Sequence, residues 1–144
     1  NLIPQIDVFK DNGYTKEEMK MIDETHKILD DYGMGITATT IRVPVYRSHA
    51  ESINLELEDD LSIDEVKSAL SNFEGVIVKD NPDEMEYPMP LYTSNQDEVF
   101  IGRIRKDYSI KNGLNLWVVG DQIRKGAALN ALQIAEYMIK HNMF

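Results

Sequence analysis

Residues 37–56, TATTIRVPVYRSHAESINLE, read as a strand, a short Pro-broken corner and a second strand. The second limb alternates: Ile53, Leu55 and Leu57 share one face, and Ser52, Asn54 and Glu56 share the other. Counting back by twos from Ile53 reaches Glu51, His49 and Arg47. On that pleat the His49 imidazole projects from the core side of its sheet, just past the end of the apolar packing. Arg42 and Arg47 are close by in the chain. A titratable ring at the edge of a dry surface, with guanidinium groups nearby, suits proton transfer beside an anionic substrate. A lone His near a strand end also has a plain structural reading, as a hydrogen-bonded or surface residue. Pro44 interrupts the pleat, so spacing alone does not fix the parity between Arg42 and His49.

The full 144-residue sequence bounds what such a corner can serve. Its length suits one domain with a sizeable core. No apolar run reaches membrane-spanning length, and no secretory leader pattern is visible. The first residue is Asn and the opening NLIPQIDVF is already apolar, so the chain reads as an excerpt of a longer protein. A formal charge of −10 makes it a poor match to nucleic acid or to anionic membranes. Any anion must be held by a few local Arg and Lys side chains. With no Cys, the sequence supplies no disulfide, no thiolate metal ligand and no thiol nucleophile. Three scattered His residues give a metal site little support. The absence of Cys fits a cytoplasmic protein.

Local signals set the other elements. Thr15 and Glu18 form a capping-box pattern ahead of a helix from Lys16 to about Asp30, with Met19, Ile22, His26 and Leu29 on one face. Glu17 and Lys20 are i, i+3 neighbours, ordinarily a solvated ion pair. Ser62 and Glu65 repeat the capping box before a second helix striped by Ile63, Val66, Ala69 and Leu70. Residues 76–79 form a short strand. Residues 80–92, with Pro82, Pro88 and Pro90, read as an extended loop that packs on something. Residues 98–106 and 114–120 read as strands joined by a turn at Asn112-Gly113. The second is apolar on both faces, which implies burial on both sides or a subunit contact. A long helix from about Asp121 or Gln122 to Lys140 closes the chain, and its spacing reads as a tightly packed core helix. Its small residues Gly126, Ala127, Ala128 and Ala131 admit close approach. Strands and helices without regular βαβ alternation predict an α+β domain. Helices cover one face of a mixed, mainly antiparallel sheet.

The stretches ITATTIRVPVYRSHAES, YPMPL, DEVFIGRIRKD and NGLNLWVVGDQIRKGAALNALQIAE, with LIPQID and KEEMKMIDETHKIL, resemble the C-terminal part of aspartate-β-semialdehyde dehydrogenase, Gram-positive-type branch. The resemblance spans nearly the whole chain. It implies a glyceraldehyde-3-phosphate dehydrogenase-like C-terminal domain and NADPH-dependent reductive dephosphorylation of L-aspartyl 4-phosphate to L-aspartate 4-semialdehyde. That reaction feeds lysine, threonine, methionine and diaminopimelate biosynthesis.

The resemblance also implies roles. His49 matches the active-site base in an RxxxxxxH pattern. Arg42 matches the arginine that grips the substrate α-carboxylate. Glu17 matches the acid that pairs with its amino group, and Lys20 a phosphate-binding lysine. Gln122 lies in the segment that meets the nicotinamide, where many relatives carry Asn. Residues 1–121 would belong to a catalytic and dimerisation domain of a homodimer or homotetramer. Residues 122–144 would pack against a nucleotide-binding domain. That domain, the nucleophilic Cys and a substrate-orienting glutamine lie outside this sequence, so the chain alone is expected to be inactive. Two alternatives stand beside this one: a fragment of an N-acetylglutamyl-phosphate reductase-like enzyme, and a non-catalytic dimerisation module. NADP and NAD are not distinguished by these residues.

Overall fold

A computed structural model describes residues 1–144, which resolve into two compact units, 1–44 and 45–144. In the first, helix α1 (Lys16–Leu29) starts as its capping box requires. The Glu18 N–H donates to Thr15 Oγ1 at 3.2 Å, and the Thr15 N–H donates to Glu18 Oε2 at 2.8 Å. Both residues are buried. The other Glu18 oxygen, Oε1, accepts the Thr40 N–H at 2.8 Å, which ties the first turn of α1 to the segment leading into Arg42.

The first limb of the expected strand pair does not form a sheet strand. Between residues 37 and 46 the only ladder contact is an isolated antiparallel bridge, Ile3 with Arg42. Pro44 supplies no N–H, so the pairing cannot extend past that point.

In the second unit, strand β1 is His49–Glu56, helix α2 is Ile63–Ser71, and β2 is Val76–Val78. Strand β3 is Val99–Asp107 and β4 is Gly113–Gly120. The sheet order is β1-β4-β3-β2, antiparallel except for the β2–β3 pair, so it is mixed and mainly antiparallel as expected. Opposed residues share a face. One face therefore carries Ile53 and Leu55 with Leu116 and Leu114, and Ile101 beside Val118. Val66 of α2 is buried against it, flanked by Ile63 and Leu70. The opposite face carries Val119, which is fully buried, and Trp117, whose Nε1–H donates to the Pro88 carbonyl at 2.9 Å. Strand β4 is thus packed on both faces, as its apolar run implied.

A bulge between Gly102 and Arg105 breaks the β3–β4 register. It places Arg103 at a φ of 53°, with its N–H on Asp80 Oδ1 at 2.7 Å. Asp80 Oδ2 in turn pairs with Lys67 of α2 at 2.8 Å. Gly102 is required by close approach, since a Cβ there would lie 2.3 Å from the Lys79 carbonyl oxygen.

Two expectations need correction. Residues 80–92 are not wholly extended: a 3₁₀ turn (Pro82–Glu84) and a short helix α3 (Pro90–Thr93) form there. Each has Pro in its first turn, where the missing N–H costs nothing. The closing helix opens as a π-helical segment (Arg124–Ala128) before the regular α4 (Leu129–Lys140). Nor is α4 a core helix, because none of its residues is buried, and Leu132 and Ile139 are each 64 % exposed. Its apolar stripe was legible, but the surface that would cover it is not supplied by this chain's own fold.

Candidate functional site

The two units divide the candidate residues. In unit 1, the first turns of α1 present Glu17 and Lys20 to solvent, with Lys20 Nζ 3.2 Å from Glu17 Oε2. The hydrogen bond to Glu17, then its charge, raise the Lys20 pKa, so the ammonium stays charged. Arg42 is exposed, and its backbone is fixed by paired hydrogen bonds with Ile3 of 3.0 and 2.8 Å. Glu18 carries no chemistry in the sequence reading beyond its cap. In the structure it joins the α1 turn bearing Glu17 and Lys20 to Thr40, two residues before Arg42. The Thr15 N–H, then the Thr40 N–H, hold its carboxyl below the usual carboxylate range.

In unit 2, His49 opens β1 directly opposite Gly120 at the end of β4. The ladder runs without a shift from His49 to Glu56, so parity puts His49 on the same face as Ile53 and Leu55. It is exposed, beyond the point where apolar packing stops. The expected placement on the core-side face at the sheet's end is what the register gives.

The residues just before His49 are held firmly. Ser48 is buried and sits at a φ of 76°, a left-handed conformation uncommon for a residue with a Cβ. Its N–H donates to Gln122 Oε1 at 3.0 Å. Its hydroxyl accepts from Thr93 Oγ1 at 3.1 Å and lies 3.3 Å from Ser94 Oγ. Arg47 Nε lies 2.6 Å from Asp121 Oδ2. That N–H is not aimed along the line of contact, and Arg47 Nε has no directed hydrogen bond. The contact is therefore an ion pair rather than a straight hydrogen bond.

Asp121 has no exposed surface. It accepts the N–H groups of Asn95 at 2.7 Å, Ile123 at 2.9 Å and Arg124 at 3.3 Å. Burial alone would raise its pKa. The Asn95 N–H, the Arg47 guanidinium and the two following N–H groups outweigh that and lower it to about 2. From the sequence, Asp121 reads only as a helix-start residue. Its partners Arg47 and Asn95 lie 74 and 26 positions back in the chain.

Gln122 is half-buried, and its carbonyl oxygen is committed to Ser48. Its amide NH₂ is the donor end left for a ligand. The Arg124 guanidinium pairs with Asp97 and lowers that carboxyl's pKa.

Two open hollows also occur. One of about 390 Å³ lies over the Trp117 face of the sheet, lined by Ser52, Tyr87, Pro88, Met89, Arg103 and Arg105 among others. One of about 340 Å³ lies in unit 1 beside Tyr14, Glu18 and Thr37. None of the five candidate residues lines either.

Comparison with known proteins agrees with the sequence resemblance. Residues 1–125 match the family described as semialdehyde dehydrogenase, dimerisation domain. An aspartate-semialdehyde dehydrogenase of Aquifex aeolicus is 52 % identical over 143 residues, covering 99 % of this chain and 42 % of that protein. The crystal structure of aspartate semialdehyde dehydrogenase II complexed with ASA from Vibrio cholerae superposes with a TM-score of 0.91 at 43 % identity. It covers 97 % of this chain and 41 % of that one. A Candida albicans aspartate semialdehyde dehydrogenase with NADP has a TM-score of 0.77 at 26 % identity, over 100 % of this chain and 46 % of that one. The chain therefore spans about two fifths of the length of these relatives, and the neighbours bear out the α+β fold class. Matched over residues 1–125 of its 144, the chain belongs to the semialdehyde dehydrogenase family, in its dimerisation domain.

Proposed function

We propose that this chain carries the base and the substrate clamps of an aspartate-semialdehyde dehydrogenase, acting in the cytoplasm within a longer polypeptide. The observation that carries the reading is His49. It is solvent-accessible at the end of a fixed strand register, and the two residues before it are locked by Asp121 and Gln122.

In this reading His49 takes the proton of a thiol supplied from outside this sequence. The freed thiolate attacks the acyl carbon of L-aspartyl 4-phosphate and expels phosphate. As the aldehyde leaves, the imidazolium returns that proton to the departing thiolate sulfur. Arg42 receives the α-carboxylate, since a planar two-pronged donor fits that group. Glu17 receives the α-ammonium, and Lys20 a phosphoryl oxygen. The Glu17–Lys20 pair is already a carboxylate beside an ammonium, so a zwitterionic acyl phosphate exchanges one set of opposite charges for another. NADPH, when bound, would supply the hydride. In this reading Gln122, whose carbonyl is committed to Ser48, would offer its amide NH₂ to the nicotinamide carboxamide.

The Trp117 face, with its hollow rimmed by Arg103 and Arg105, is the surface we assign to self-association, in keeping with a family described by dimerisation. The exposed stripe of α4 is the surface assigned to the nucleotide-binding portion.

The test is the full-length protein assayed for NADPH oxidation with L-aspartyl 4-phosphate and with N-acetylglutamyl phosphate. Turnover on the first alone, lost in His49→Ala with the oligomer unchanged by sedimentation, supports the reading. Turnover on neither substrate leaves the non-catalytic dimerisation module. Preference for the second supports the other reductase.

A further inference from the structure

The proposed chemistry needs His49 to be aimed, yet an exposed imidazole at a strand end has little packing of its own to aim it. The segment before it is unusually constrained. Two adjacent residues just past the end of β4, Asp121 and Gln122, hold two adjacent residues ahead of β1, Arg47 and Ser48. The pairs are crossed relative to the ladder: antiparallel register past His49–Gly120 would set Ser48 opposite Asp121 and Arg47 opposite Gln122, whereas the contacts are Arg47–Asp121 and Ser48–Gln122. Side-chain contacts thus tie the two segments together beyond the last backbone pair of the β1–β4 ladder.

Three features set this apart from ordinary loop bonding. Asp121 is wholly buried and its carboxylate meets only backbone N–H groups and Arg47, so its charge is spent on holding segments rather than on solvent. Ser48 adopts a left-handed φ although it is not Gly, and it is buried there among the hydroxyls of Thr93 and Ser94. Backbone in that region persists only where its surroundings over-determine it, and such residues gather at functional sites. Finally, the same Gln122 side chain that offers its NH₂ outward spends its carbonyl on Ser48.

We propose that Asp121, with Ser48, is a positioning residue: it fixes the backbone that delivers His49, and through Gln122 it links that backbone to the segment facing the nicotinamide. The proposal rests on the reading of His49 as the base.

The experiment uses the full-length protein and compares D121N, S48G and H49A. Asn keeps the shape of Asp121 and removes its charge. Gly at position 48 relieves the left-handed backbone, which favours folding, but frees the loop and deletes the hydroxyl contacts. Expected for D121N and S48G is a fall in kcat of about tenfold to a hundredfold, the scale of a catalytic group displaced by up to an ångström. KM for L-aspartyl 4-phosphate stays within about twofold. The His49 ring resonances, assigned by their loss in H49A, shift in D121N. A merely structural role would lower the thermal midpoint and leave kcat per folded molecule and the ring resonances in place.

If D121N is folded, and its kcat and His49 resonances match the parent, the proposal is overturned while an inactive H49A keeps the functional reading intact. If D121N does not fold, S48G decides: unchanged kcat overturns the proposal, and reduced kcat with an undiminished midpoint supports it. If H49A turns over normally, the functional reading falls. The clamp is then judged by the ring resonances alone, and unshifted signals in D121N overturn it too.

Discussion

Replacing Thr15 by Ala tests how the clamp residues of unit 1 are held. Thr15 has no exposed surface, and its Oγ1 accepts the Glu18 N–H at 3.2 Å at the start of α1. Loss of an N-cap oxygen costs about 1 kcal/mol. Loss of the buried methyl adds about 0.8 kcal/mol. Together the change is about 2 kcal/mol, whereas Thr15→Ser, which keeps the oxygen, loses only the methyl part. Hydrogen exchange of the first two turns of α1 reads this locally, because amides exchange through openings of the segment they belong to. At 1.4 kcal/mol per decade, Ala should speed exchange about thirtyfold and Ser about fourfold. Glu17 and Lys20 sit in those turns, so KM for L-aspartyl 4-phosphate should rise in the Ala variant while kcat changes little. Equal exchange rates in the Ala and Ser variants would show that the hydroxyl does not hold the turn, and the reasoning from capping to substrate clamp fails.

Two further outcomes follow from the same contacts. The Asp121 carboxyl titrates at about 2 in the fold against an ordinary 3.8, so its ionised form favours folding. That contribution is complete above the ordinary value and is lost as pH falls through about 2. The stability gap between the parent and D121N should therefore be flat above about pH 5 and shrink between pH 4 and pH 2 in denaturant titrations; a gap independent of pH over that window contradicts the buried, ionised assignment. Gly102→Ala would set a Cβ 2.3 Å from the Lys79 carbonyl oxygen and 2.6 Å from Pro88 Cδ. Overpacking against backbone costs about 1–3 kcal/mol, so its unfolding midpoint should drop clearly, and an unchanged midpoint rules out the close approach.

What the sequence made legible was mostly local. Both capping boxes were readable because each lies within four residues, and both formed as written. The alternation in 49–56 and 114–120 was readable because each strand has a buried face, and the ladder between them runs without a shift. The limb before Pro44 misled because its β-branched residues imitate a strand, while strand formation also needs a partner along its length. The closing helix showed its stripe but not its exposure, since burial depends on what lies opposite.

The site followed the same division. His49 was placed on its face by a period of two. Asp121 and the second role of Glu18 were missed because their partners are far away in the chain, joined only by the fold. A signal did exist for Asp121: an acidic residue directly after an apolar strand, in a chain with two arginines near its candidate base. Read alone, it looks like any helix-start carboxylate.

The most direct measurement is the pH dependence of iodoacetamide inactivation in the full-length protein, comparing the parent with His49→Asn. If His49 draws the proton from the attacking thiol, the parent should alkylate readily at neutral pH. In the variant the apparent thiol pKa should climb toward the ordinary value of about 8.5, slowing the reaction at pH 7 by about tenfold or more. Superimposable inactivation profiles would contradict the assignment of His49 as the base.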